Sequence, residues 1–192
     1  VGYFFNVVSA QITANPSTPV CSGSSVELTA TGGTYYIWST GATESSIMVN
    51  PVISTNYWVD VKDLFDVVIA RYDIDVAVLP LPSVTISGDA SVCTGKSVTL
   101  TASSSSAGGS FLWMDGSTNS TLTVSPSVDT SYWVEYTDVN GCKNTAYKTI
   151  HVNDLPNVSI SGPTEICLGG SVTLVASGGV GFLWNDLLST TS

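Results

Sequence analysis

The chain has 192 residues, with 15 Asp and Glu against 5 Lys and Arg for a formal net charge of −10. Charged residues make up only 10%, against roughly 25% in typical soluble domains. The acidic balance argues against nucleic-acid binding, which needs clustered Lys and Arg, and 43% hydrophobic content argues against a disordered chain. No apolar run approaches the ~20 residues that span a bilayer. Val1 to Ala10 carries Asn6 and no basic leader, so it reads as neither a span nor a signal peptide.

Residues 1–10 read instead as the last strand of a preceding repeat, because from residue 11 onward the chain repeats itself. The run Cys21-Ser-Gly-Ser-Ser-Val-Glu-Leu-Thr-Ala30 returns at Cys93–Ala102 and again at Cys167–Ala176, at spacings of 72 and 74 residues. Ile37–Val61 then matches Leu112–Tyr136 without a gap, aligning Trp38 with Trp113, Pro51 with Pro126 and Tyr57-Trp58-Val59 with Tyr132-Trp133-Val134. A third copy starts the same block at Phe182-Leu-Trp184. The expected organisation is therefore repeat 1 over 11–82, repeat 2 over 83–156 and the first half of repeat 3, truncated, over 157–192. Leu79-Pro80-Leu81-Pro82 and Asp154-Leu155-Pro156 are the connectors, short and semi-rigid because proline fixes φ and extends its predecessor.

Within repeat 2 the predicted strands are, in chain order, Val84–Ser87, Ser97–Ala102, Ser110–Trp113, Ser120–Val124, Ser131–Tyr136 and Thr145–Val152. Several alternate apolar residues with Ser or Thr, the period-2 pattern of a half-buried strand. Gly, Asn, Asp and Pro clusters separate them, among them Asp138-Val-Asn-Gly141, a hairpin-turn composition. Nothing has helical spacing. Six or seven such strands per repeat specify an all-β, immunoglobulin-type two-sheet sandwich, with Trp38, Trp113 and Trp184 at the core-Trp position. Tyr57 and Tyr132 stand where such sandwiches keep a corner tyrosine. The second antibody-type Cys is replaced by Val59 or Val134, so the cysteines have another use.

Cys93 precedes the second strand of repeat 2, and Cys142 lies in the turn before its last. If both sit at one end of the sandwich they form an end staple, closing 49 residues and contributing roughly 4 kcal/mol in the chain-entropy model. Cys21 then has no partner, since Leu64–Val67 lacks a Cys, and Cys167 would pair beyond residue 192. The alternative is four unrelated buried thiols. A staple would imply an oxidising, extracytoplasmic compartment.

The ordered motifs Cys-x-Gly-x-Ser-Val-x-Leu, Leu-Trp-x-x-Gly-x-Thr, Val-x-Pro, Tyr-Trp-Val and Asp-x-Asn-Gly-Cys resemble the immunoglobulin-like repeats of Bacteroidota surface proteins. Those repeats fill gliding-motility adhesins and other type 9 secretion substrates. The resemblance covers residues 11–192. It implies export across the outer membrane to the cell surface and a role as a stalk or adhesin segment. The implied partners are other repeats of the same chain, cell-surface glycans or the export and motility machinery, with no membrane insertion. Repeat 1 departs from the pattern by lacking the second Cys.

Other sites are weakly marked. The single histidine, His151, has no second His for a metal pair and no evident Ser-His-Asp arrangement, so no enzymatic activity and no cofactor are expected. Asp60, Asp63 and Asp66 cluster in a turn and are hard oxygen ligands suited to Ca²⁺. Repeat 2 has Glu135, Asp138 and Asn140 there, and a solvated acidic turn explains the cluster as well. If Tyr132, Val134 and Tyr136 face the core, Trp133 faces out, and Trp58 does so in repeat 1. These tryptophans would form a partner or glycan surface unless a loop or neighbouring repeat covers them. Two functions follow as expectations: a non-enzymatic stalk or adhesin segment in an elongated array, or a carbohydrate-binding accessory module of a secreted polysaccharide-degrading enzyme.

Overall fold

Alternation of β-branched or aromatic residues with Ser and Thr produces the strands expected within repeat 2. The computed structural model describes residues 11–184 and 189–190; the strand expected over residues 1–10 lies outside them. Among the described residues there is no helix.

The chain begins with β1 (Gln11–Asn15), β2 (Val20–Cys21), β3 (Val26–Thr31), β4 (Tyr35–Trp38), β5 (Ser46–Val49), β6 (Thr55–Lys62), β7 (Val68–Val76) and β8 (Val78–Leu79). The second series is β9 (Val84–Ser87), β10 (Ser91–Cys93), β11 (Val98–Ser104), β12 (Ser110–Trp113), β13 (Thr121–Val124), β14 (Thr130–Thr137) and β15 (Lys143–Asn153). Then follow β16 (Ser159–Ser161), β17 (Val175–Ser177), β18 (Phe182–Leu183) and β19 (Ser189–Thr190). The sheets run β1-β3-β5, β4-β6-β7 and β2-β8 in the first series, and β13-β11-β9 and β10-β15-β14-β12 in the second. The strand orders therefore repeat, with β15 taking the place of β7 and β8 together.

The described residues group into two compact units. The first draws on residues 11–86, 101–120 and 133–147. In it β1 pairs antiparallel with β3, β3 with β5, β4 with β6 and β6 with β7, while β2 runs parallel to β8 with Cys21 opposite Leu79. Alternation puts Val26, Leu28, Val59, Val61 and Val76 at 0% exposure around Trp38. The indole Nε1 of Trp38 donates to the Glu44 carbonyl at 2.8 Å, and Trp113 repeats the device by donating to Asn119. A buried indole is tolerated because its one donor is satisfied.

The second unit draws on residues 87–100, 121–132, 148–184 and 189–190. In it β10 lies parallel to β15, with Cys93 opposite Asn153, and β16 pairs antiparallel with β17. Leu174, the counterpart of the fully buried Leu100, is 46% exposed, and Ile160 is 67% exposed.

The hydroxyl-to-backbone anchor expected of Tyr57 and Tyr132 is seen at Tyr136. Its Oη donates to the Ser106 carbonyl at 2.6 Å and accepts the Gly109 N–H at 2.9 Å. Tyr36 makes the matching pair of bonds to Gly33.

Candidate functional site: the junction between repeats

The turn Asp138–Cys142 is built by one carboxylate. Asp138 Oδ1 accepts the N–H of Asn140 at 2.9 Å and of Cys142 at 2.8 Å, and the Cys142 carbonyl accepts the Asp138 N–H. Gly141 takes φ 84°, the left-handed conformation that Asn-Gly supplies without a Cβ clash. Repeat 1 folds its counterpart alike. Asp63 Oδ1 accepts the N–H groups of Phe65 and Val67, and Asp66 occupies the left-handed position at φ 63°. Val67 therefore stands where Cys142 stands.

Cys142 is bonded to Cys21, at a Cα–Cα distance of 5.5 Å and a sequence separation of 121. Cys93, expected as its partner, is a free, exposed thiol, as is Cys167. Strand geometry explains the correction. Cys93 lies opposite Asn153, at the far end of β15 from Lys143. Eleven residues of strand at about 3.3 Å each place the two ends about 35 Å apart, far beyond disulfide reach. Cys21, beside Leu79 at the exit of repeat 1, meets the entry turn of repeat 2 instead.

Other groups finish this junction. Asn144 Nδ2 donates to the carbonyl of connector residue Pro82 at 2.8 Å, and its Oδ1 accepts the Thr145 N–H. Lys143 Nζ pairs with Glu135 at 2.7 Å. A shallow groove of 340 Å³ lies between Cys21 and Gly23 on one side, Gly141 and Lys143 on the other, with Leu81 at its side. Residues from repeat 1, the connector and repeat 2 thus converge on one covalent and hydrogen-bonded joint. Cys21, Asp138 and Asn144 were missed as members of it. The available signal was the unpaired Cys21 together with a four-residue connector too short to separate adjoining repeat ends.

The acidic cluster does not assemble as a cation site. Asp60 holds Arg71 through two hydrogen bonds of 2.6 Å, Asp63 is committed to its turn, and Asp66 pairs with Lys62 at 2.9 Å. Among the described residues no three acidic, His or Cys groups converge. The hydrogen bond from Arg71, helped by the charges of Arg71 and Lys62, holds the Asp60 carboxyl below its ordinary range.

Trp58 and Trp133 are both half-buried. The Arg71 guanidinium lies 4.1 Å from the centre of the Trp58 ring, a cation–π contact held in place by Asp60. That face of the indole is occupied. His151 pairs through Nδ1 with Asp129 Oδ2 at 2.8 Å, while Asp129 Oδ1 accepts the Val152 N–H. The backbone bond from Val152, then the one from His151, lowers the Asp129 carboxyl pKa.

Residues 80–156, all of repeat 2 together with the last three residues of the preceding connector, match the sequence model of the family described as "Ig-like domain CHU_C associated". Comparison with curated proteins returns no match. Solved structures similar to the chain include murine CEACAM1b, at 16% identity over 76% of this chain and 100% of that one, TM-score 0.33. Three N-terminal domains of the bacteriophage RB49 Hoc capsid protein match at 15% identity over 88% of this chain and 68% of that one, TM-score 0.35. The amphioxus IgVJ-C2 molecule matches at 13% identity over 69% and 98%, TM-score 0.31. At these scores none of the three lends its domain arrangement to this chain. The strand pattern and the family match define an all-β protein of immunoglobulin-like sandwich type carrying a disulfide.

Proposed function

We propose that this chain is a non-enzymatic, tension-bearing repeat segment of a secreted cell-surface protein, a stalk or adhesin element of the kind used in adhesion or gliding. The observation that carries the reading is the Cys21–Cys142 bond, which joins the exit of one repeat to the entry of the next. An oxidised cross-link fits a compartment outside the cytoplasm, and export across the outer membrane belongs to the same proposal. So does the division into repeats at residues 82 and 156. The glycan-binding alternative is less favoured, because Arg71 covers a face of Trp58 that a sugar ring would need.

Force spectroscopy tests the proposal. A pull on the two termini of the oxidised chain bypasses the residues between Cys21 and Cys142, since tension passes through the bridge. Reduction releases that segment, whose 121-residue separation corresponds to about 40 nm of extended chain at 3.3–3.6 Å per residue. Equal total extension with and without a thiol would show that the bridge bears no tension and would remove the basis of the stalk reading.

A further inference from the structure

We infer that Cys93 is the first half of a second inter-repeat bridge, and that its partner is the Asn-Gly-Cys turn thiol of the repeat that follows repeat 2. The inference rests on the internal copy, in which the equivalent residue is seen bonded. Cys21 and Cys93 share their whole setting. Each ends a short strand parallel to the last strand of its repeat, Cys21 opposite Leu79 and Cys93 opposite Asn153. Each carbonyl accepts an N–H three residues on, from Ser24 at 2.9 Å and Lys96 at 3.0 Å, around Gly23 at φ 78° and Gly95 at φ 79°. Each repeat then leaves through a Leu-Pro connector. Leu81 lines the occupied junction, and its counterpart Leu155 is 62% exposed. Cys21 is bonded whereas Cys93 is free and exposed, so the same device is present once closed and once open.

Closure joins the two sulfurs and breaks two S–H bonds. The two electrons and two protons pass to a disulfide oxidant, a dithiol oxidase or oxidised glutathione, whose own S–S bond is cleaved to two thiols. The stagger has a mechanical consequence. Bridges starting at Cys21 and Cys93 overlap, so residues 93–142 of repeat 2 lie inside both, and an array built this way has its repeats cross-linked in series.

The test is disulfide mapping of the intact protein. Free thiols are blocked with N-ethylmaleimide before unfolding, and the unreduced digest is read by mass spectrometry. The expected result is a Cys93 peptide joined to an Asn-Gly-Cys peptide other than the one containing Cys142, within a chain that runs as a monomer on a non-reducing gel. Cys93 recovered as the maleimide adduct, capped by glutathione, bonded to Cys142, or linking two chains would overturn it. A tandem chain in which a second copy of residues 83–156 replaces 157–192 gives an independent measure. In glutathione buffer Cys93 of the first copy should bond to Cys142 of the second, and Cys142→Ser in the second copy should restore its maleimide reactivity with the Cys21 bridge intact. A reactive Cys93 in the unsubstituted tandem, with the Cys21 bridge formed, overturns the inference as well.

Discussion

Trp38 and Trp113 are each 1% exposed and each close their one donor on a loop carbonyl six residues ahead. Truncation leaves a large cavity and an orphaned carbonyl, so Trp38→Ala and Trp113→Ala should each cost about 3–5 kcal/mol, read by denaturant unfolding of the chain. Gly109 is constrained differently: a Cβ there would overlap the Thr137 carbonyl and come within 2.6 Å of the Tyr136 ring. Gly109→Ala should lose about 1–3 kcal/mol by overpacking and displace the Tyr136 hydroxyl from its two backbone partners. At Trp58 the covering cation is the testable element. Arg71→Ala removes both the Asp60 pair and the contact over the ring, and should red-shift Trp58 emission as water reaches the indole. An unchanged spectrum would mean that the indole is shielded by something other than Arg71.

At the scale of elements, the turns carry more of the architecture than their length suggests. Asp63 and Asp138 each satisfy two N–H groups, and in repeat 2 that turn also aims Cys142. Asp138→Ala should cost about 1–2 kcal/mol through the unmade bonds. It should also slow formation of the Cys21 bridge during oxidative refolding, which Asp63→Ala should not do, because its turn presents Val67. A second element-level expectation concerns pH. Asp129 ties the β13–β14 loop to β15 through Val152 and His151, and its carboxyl is lowered from the ordinary 3.8. A carboxyl held lower in the folded state keeps its stabilisation above that value and loses it as pH falls through the depressed one. Thermal melts from pH 6 to 2 should therefore show a smaller acid-side loss in Asp129→Asn than in the parent chain.

For the whole molecule, with the proposed division into repeats, the cross-link couples what would otherwise be independent modules. In an array without it, stability is close to a sum of repeat and neighbour contributions. A bridge closing 121 residues restricts the unfolded chain by about 5 kcal/mol in the chain-entropy model, and the restriction spans two repeats. Reduction or Cys21→Ser should therefore lower the melting temperature of the intact chain and uncouple the two transitions in calorimetry. Separate repeats cut at Pro82 should melt alike with and without a thiol, because cutting puts the two sulfurs on different molecules. A thiol-sensitive melt of isolated repeat 2 would instead indicate a bridge within the repeat.

Local chemistry made much of this protein legible before any fold was known. Period-2 alternation and turn residues set the strands, the repeated motifs set their recurrence, and Trp38 and Trp113 declared themselves as core. These are short-range properties, in which a residue's role follows from neighbours within one or two turns of chain. Cysteine pairing is not of that kind. It depends on which turns the strands bring together, and the 11-residue β15 separates the two cysteines of repeat 2, Cys93 and Cys142, while the short connector lets Cys21 and Cys142 meet across 121 residues of sequence. The fate of the acidic cluster and of Trp58 was decided in the same way, by Arg71 arriving across the β6–β7 register opposite Asp60. Composition records that Arg71 exists; only the tertiary structure sets it over the indole and between the carboxylate oxygens.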